Sequence, residues 1–127
     1  MTIIHNPPEL GVPPTYSLAI EVPPGARTLY IAGQVGWDAN GNIEEGIAAQ
    51  TRKAFQNLRV VLRSAGMDFE NIVKTTIYLT DATNIQEYSR VRSEMLGPTK
   101  PASTLVVIKE LARPGLLVEV DAIAVAE

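Results

Sequence analysis

The chain has 127 residues, contains no cysteine, and carries 11 basic and 14 acidic residues for a formal charge of −3. This length predicts one domain spanning residues 1–127. The missing thiols exclude disulfides and zinc–thiolate centres. A mildly acidic chain without a basic stripe is a poor nucleic-acid binder. Because no apolar run reaches the roughly 20 residues of a membrane span and the first eight residues lack a signal-peptide pattern, we expect a cytoplasmic protein without membrane partners.

The N-terminal part of the sequence predicts an irregular start followed by two strands. Four prolines among the first 15 residues favour extended, irregular backbone, and His5 lies there without a predicted partner. Residues 16–22 are predicted as a strand that ends at Pro23-Pro24-Gly25, and residues 28–35 as the next strand. Because a Pro-Gly turn between two strands indicates a hairpin, we predict that these two strands pair.

The rest of the chain predicts two helices separated by strands. Apolar residues recur at helical spacing over residues 46–65, and again at Ile85, Tyr88, Val91 and Met95 in a second helix that is closed by Gly97-Pro98. Three further segments have the composition and alternation of strands: 71–80, 102–108 and 116–125. The predicted order is ββ-α-β-α-ββ, an α+β fold with both helices on one face of a mixed sheet. In the segment 102–108, aliphatic residues occupy both the odd and the even positions, which predicts that another subunit covers the second face of the sheet.

The last strand contains the best candidates for chemistry. Glu119 and Asp121 are two residues apart, so their side chains share one face of the strand, roughly 7 Å from each other. Carboxylates inside so apolar a strand need partners or a ligand. The pattern predicts either a general acid–base that positions a water, or ion pairs with basic residues across a subunit contact.

Two other positions are candidates on weaker patterns. Gly33 lets a ligand approach the backbone closely, or simply marks a β-bulge. Tyr16 offers a phenol to a pocket, or packs with an exposed tip, and Trp37 is interpreted as packing or as an interface anchor. No phosphate-binding loop, dinucleotide fingerprint or nucleophile elbow is present. With no cysteine and a single histidine in the chain, we expect no metal site.

Several segments, in order along nearly the whole chain, resemble the Rid family of reactive enamine/imine deaminases, also known as YjgF-type or endoribonuclease L-PSP-like proteins. The segments are Tyr16-Ser17, Ala32-Gly33-Gln34-Val35, Gln50-Thr51, Asn57-Leu58, Val73–Asp81, Lys100-Pro101-Ala102 and Val118–Ala124. Each is weak alone, but their common order is specific. The ribonuclease label fits badly with an acidic chain that lacks a catalytic histidine pair and an aromatic stacking platform.

The resemblance implies a chorismate-mutase-like fold and a homotrimer whose sheets form a central barrel with three clefts between subunits. It also implies hydrolysis of an imine, an enamine or a related C–N bond without a cofactor. In the deaminating members an arginine pairs with the substrate carboxylate, while a glutamate and backbone groups position the attacking water. Glu119 matches that glutamate, Gly33 the backbone contact and Tyr16 the cleft tyrosine.

The chain departs from the family pattern where the substrate carboxylate would bind. Ser103 occupies the arginine position, Leu105 a position often held by a small polar or thiol residue, and Ser89 one where asparagine is common. Losing a buried bidentate arginine costs on the order of 2–5 kcal/mol of substrate binding. We therefore predict a substrate shifted away from small imino acids or, alternatively, a non-catalytic trimer that binds a small metabolite in the same clefts. The candidate substitute cations are Arg90, Arg92 and Arg113.

Overall fold

The computed structural model describes all 127 residues and contains two α-helices and six strands. The strands are β1 (Ile3–His5), β2 (Ala19–Glu21), β3 (Arg27–Val35), β4 (Ile72–Leu79), β5 (Ala102–Val107) and β6 (Val118–Ala126), and the helices are α1 (Ile47–Ser64) and α2 (Ile85–Leu96). Both predicted helices and the four longer strands are confirmed within a few residues. No helix is both long and apolar enough to cross a bilayer.

The main sheet has four strands in the order β3-β6-β4-β5. β6 lies at its centre and runs antiparallel to both neighbours, whereas β4 and β5 are parallel. A parallel pair cannot be joined by a tight turn, and α2 makes the necessary crossover between these two strands. The predicted mixed sheet and the α+β class are therefore confirmed.

The first two predicted strands do not form the hairpin that the Pro-Gly turn indicated. β2 pairs with β1 in a separate two-stranded sheet, and β3 pairs with β6 instead. The hairpin prediction was wrong because a turn, here with Gly25 at φ 80°, reverses the chain without selecting the partner strand. The predicted irregular start also forms a strand, and His5 gains a partner, with Nε2 2.8 Å from Glu21 Oε1.

Both helices pack on one face of the sheet, which we call the helix side. Alternate residues of β4 and β6 point into the buried cluster there, whose largest members are Phe55, Leu58, Leu62, Ile77, Leu79, Tyr88, Val118 and Val120. Removing such apolar surface from water stabilises the fold by roughly 25 cal/mol per Å². The opposite side, which we call the open face, has no helix over it, and Tyr30 there is 77% exposed.

A buried glutamine connects α1 to the start of β6. Gln50 Nε2 donates to the carbonyls of Glu44 (3.1 Å) and Gly115 (2.8 Å), and Oε1 accepts from the amide of Leu117 at 2.8 Å. A buried amide with partners at both ends holds these segments in one arrangement. The contact therefore positions the strand that carries Glu119.

Candidate functional site

A cavity of about 270 Å³ lies on the helix side, between the edge strand β5 and helix α2. Ser103 and Leu105 line it because they pair with Thr75 and Ile77, whose side chains face the core. We call it the α2 cavity. Its lining residues are Thr15, Tyr16, Ile77, Tyr88, Ser89, Arg92, Ser103 and Leu105.

The segment before β2 closes one end of the α2 cavity. The Ser17 hydroxyl donates to the carbonyl of Lys100 at 2.6 Å, and Arg92 Nη1 donates to the carbonyl of Thr15 at 2.8 Å. These bonds hold the segment against the start of β5 and against α2. Tyr16, 37% exposed, therefore stands between the cavity and solvent.

Ser103 contributes a hydroxyl, and no charge, to the α2 cavity. Its Oγ accepts a hydrogen bond from the buried Thr75 Oγ1 at 3.0 Å. Because a serine hydroxyl carries one donor as well as its acceptor lone pairs, the Ser103 proton stays free to donate to a ligand.

The three candidate cations occupy different environments. Arg92 lines the α2 cavity. Arg90 instead forms ion pairs with Glu87 and Glu94. The guanidinium carbon of Arg113 lies 4.9 Å from the ring centre of Trp37, a cation–π contact away from the cavity.

Glu119 and Asp121 lie together on the open face, as the alternation of β6 predicts. Tyr78, opposite them on β4, donates from its hydroxyl to Asp121 Oδ2 at 3.2 Å. Neither carboxylate has a cationic partner within the chain. Partial burial, followed by the negative charge of Asp121, raises the pKa of Glu119 above its ordinary value. An ion pair across a subunit contact stays a prediction.

Gly33 lies directly against the Glu119 carboxylate. The β3–β6 register shifts between Ile31 and Gln34, so the strand bulges here. A Cβ added at Gly33 would overlap the Glu119 carboxylate. Both features predicted for Gly33 are therefore present: the strand bulges there, and another group lies close to its backbone. Within the chain, that group is the Glu119 side chain.

The predicted site residues thus form two groups on opposite sides of the sheet. Five of them line the α2 cavity: Tyr16, Ser89, Arg92, Ser103 and Leu105. Gly33 and Glu119 form the other group on the open face. Sequence reasoning did not predict Thr15 or Tyr88 at the cavity. The spacing of Tyr88 and Arg92, four residues apart on α2, was the available signal for Tyr88, and nothing signalled Thr15. Nowhere in the chain do three or more potential metal-ligating side chains gather.

Comparison with known proteins decides the family. The family described as Endoribonuclease L-PSP matches residues 10–126. The chain belongs to the Rid family. Among its Rid relatives, the 2-iminobutanoate/2-iminopropanoate deaminase of Mus musculus is 36% identical over 112 residues, which cover 87% of this chain and 80% of that protein. A RutC family protein of Pyrococcus abyssi is 35% identical over 114 residues, covering 88% and 87%.

Solved Rid structures share the fold. YyfB of Yersinia pestis, a member of the conserved Rid protein family, superposes with a TM-score of 0.85 at 31% identity, covering 98% of each chain. RidA from an Antarctic Psychrobacter gives a TM-score of 0.75 at 31% identity, covering 88% of this chain and 89% of that one. The Rid-type α+β fold that the sequence motifs implied is confirmed.

Proposed function

We propose that this Rid-family chain is a cofactor-independent hydrolase that converts an imine or enamine into a carbonyl compound and ammonia. Glu119 carries the proposal: it is a partly buried carboxylate with a raised pKa, it has no cationic partner in the chain, and it lies against a glycine backbone. A carboxyl group whose pKa is raised above its ordinary value binds a proton more strongly, which suits it to accept and return one. The relatives named 2-iminobutanoate/2-iminopropanoate deaminases support this reaction class.

In the proposed reaction, the Glu119 carboxylate accepts a proton from water as the water oxygen bonds to the imine carbon. The C=N electron pair moves to the nitrogen, which takes up that proton and leaves a neutral carbinolamine. Glu119 then transfers the remaining hydroxyl proton to the nitrogen, the C–N bond breaks and the C=O bond forms. One water is consumed and one ammonia released, so no oxidant, reductant or cofactor takes part.

We further propose that a homotrimer completes the site. Glu119 and the α2 cavity lie on opposite sides of one sheet, so a single substrate contacts both only if they come from different copies. The exposed apolar surface of Tyr30 on the open face, and of Val106 on β5, would be covered in such an assembly. Light scattering at micromolar concentration should give about 41 kDa, three times the chain mass of 13.7 kDa. A mass of one chain would contradict the shared cleft.

The expected substrate differs from a small imino acid. Ser103 has no charge with which to hold a carboxylate against β5, and Leu105 makes the same wall apolar. A substrate whose acid group is attached directly to the imine carbon therefore loses the bidentate contact that the family resemblance implies at this position.

The reaction is tested with imines released by an amino-acid oxidase from small, bulky and aromatic amino acids, in competition with semicarbazide. The wild type should lower the yield of semicarbazone, because hydrolysis removes the imine before capture. Glu119→Gln should lose about 10²–10⁴-fold in rate, the usual contribution of general acid–base catalysis. Glu70→Gln, which alters an exposed glutamate in neither group, should keep the wild-type rate.

The second candidate is a non-catalytic trimer that binds a small metabolite in the same clefts, and the uncharged Ser103 favours it. The same assay separates the two. If the wild type hydrolyses no imine and Ser103→Arg does, the proposal of a hydrolase is wrong and that of a binding protein is favoured. Hydrolysis by the wild type that Glu119→Gln abolishes would exclude the binding protein.

A further inference from the structure

Arg92 has a positive charge that no acidic group in the chain neutralises. Nη1 donates to the carbonyl of Thr15 at 2.8 Å, and Nη2 donates to Ser93 Oγ at 3.3 Å. No carboxylate forms a salt bridge with it. Because a guanidinium has five N–H donors, Arg92 keeps donors, together with its full charge, for a ligand in the α2 cavity.

The acidic residues of α2 form ion pairs with arginines other than Arg92. Arg90, two residues away, is neutralised by Glu87 and Glu94. Glu94 also binds Arg52 of α1 at 3.0 Å. Glu87 and Glu94 therefore form their ion pairs outside the α2 cavity, and neither of them pairs with Arg92.

The surroundings of Arg92 suit a small ligand with one acidic end. Tyr16, Ser89 and Ser103 provide hydroxyl groups, while Ile77 and Leu105 make part of the wall apolar. An apolar wall lowers the local dielectric and strengthens the field of a nearby charge. The volume of about 270 Å³ lies just below the ~300–1,000 Å³ usual for drug-sized ligands, which leaves room for a small metabolite.

We propose that the α2 cavity binds a carboxylate through Arg92, so that the substrate is an imine whose carboxylate lies against helix α2 rather than against β5. The planar donor fork of arginine matches the two oxygens of a carboxylate. This substrate class rests on the proposed imine hydrolysis, whereas the carboxylate site itself does not. Arg92 on the α2 wall of the cavity would then supply the positive charge that is missing at Ser103 on the β5 wall.

A purely structural role for Arg92 makes a different prediction. Its bond to Thr15 helps to hold the segment that carries Tyr16, so a substitution could act by releasing that segment. Loss of the tether would weaken binding of charged and neutral ligands alike. Preference for a carboxylate over its uncharged amide is the readout that separates the two roles.

The probes are butanoate and butanamide, which have the same shape and differ in charge, titrated calorimetrically into the full-length protein. The wild type should bind butanoate at least about tenfold more tightly, as expected for charge-assisted hydrogen bonds. Arg92→Gln should abolish this preference. Arg63→Gln is the matched control: it removes the same charge from an exposed position, where Arg59 still holds the shared partner Asp68, and it should keep the preference.

A second measurement needs no variant. In the wild type, butanoate should shift the Arg92 Nε–H resonance in an NMR titration, and butanamide should not. Equal affinity for the two probes, or an Arg92 resonance that butanoate leaves unmoved, would overturn the inference. Retention of the butanoate preference in Arg92→Gln would overturn it as well.

Failure of the inference and failure of the proposed function are distinguishable, because binding of butanoate requires no turnover. If the protein hydrolyses imines but binds butanoate no more tightly than butanamide, the inferred Arg92 site is wrong and the proposed hydrolase stands. A preference that depends on Arg92, in a protein that hydrolyses no imine, would keep the site and remove the hydrolase.

Discussion

The helix side and the open face of the sheet are built from the same strands, yet they differ in burial and in charge. On β6, Val118 and Val120 are fully buried under the helices, while Glu119 and Asp121 on the alternate positions lie on the open face without a cationic partner. The period of two in a strand puts packing on one side and ionisable groups on the other. Stability and chemistry should therefore respond to different substitutions, even between neighbouring residues.

Two glycines at the end of β3 give the sharpest test of this difference. A Cβ at Gly36 would lie 2.5 Å from Gln50 Cα, the backbone of α1. Because a helix backbone cannot yield locally, Gly36→Ala should lower the free energy of unfolding by about 2–3 kcal/mol, as overpacking does. Denaturant unfolding measures this loss. An unchanged unfolding midpoint would show that α1 and β3 pack less tightly than the structure indicates.

Gly33→Ala should have the opposite signature. Its Cβ would overlap Cγ and the carboxylate of the flexible Glu119 side chain, which can turn away at little cost in stability. A displaced carboxylate no longer positions the water, so imine hydrolysis should fall about 10–100-fold while the unfolding midpoint stays near that of the wild type. Steady-state rates and denaturant curves on the same preparation check both parts, and retained activity would contradict the role assigned to Glu119.

On the helix side, Tyr88→Phe should stabilise the protein. The Tyr88 ring is buried and its hydroxyl has no hydrogen-bond partner. Removing an unsatisfied buried hydroxyl relieves its desolvation cost, so the free energy of unfolding should rise by about 1 kcal/mol. Thermal and denaturant unfolding measure it. A clear loss of stability would show that the hydroxyl makes a hydrogen bond in solution.

On the open face, Asp121→Asn should change the pH dependence of hydrolysis and leave stability nearly unaltered. The charge of Asp121 adds to burial in raising the pKa of Glu119, so removing it lowers that pKa. Since the proposed base is the ionised carboxylate, the acid limb of the pH–rate profile should move to lower pH. Glu70→Gln should leave the limb in place. A limb that moves to higher pH, or stays, would contradict the assignment of that limb to Glu119.

Much of the fold was predictable from local patterns. Helical spacing of apolar residues located α1 and α2, because an amphipathic helix needs one continuous apolar stripe. Alternation along β6 put Glu119 and Asp121 on one face, because successive side chains of a strand point to opposite sides of its sheet. The pairing of β2 was not predictable in this way, since the Pro-Gly turn reports only the reversal of the chain.

The candidate site was predictable as a set of residues and not as an arrangement. Ordered motifs identified Tyr16, Gly33 and Glu119 and the unusual Ser103. Motifs do not show, however, whether residues on different strands lie on the same face of the sheet. Three arginines looked equivalent along the sequence. Of Arg90 and Arg92, only Arg92 lines the cavity, because side chains two positions apart on a helix point in different directions.

By itself the sequence determined the family, the order of the helices and strands, and the face of β6 that carries the carboxylates, because these follow from ordered motifs and from periodicities of 3.6 and 2 within single segments. The tertiary structure alone decided that Gly33 touches Glu119, that Arg92 and Ser103 line one cavity, and that these two groups lie on opposite sides of one sheet. Those relations join residues distant in the chain, and they depend on strand order and register, which are set by the packing of the whole domain.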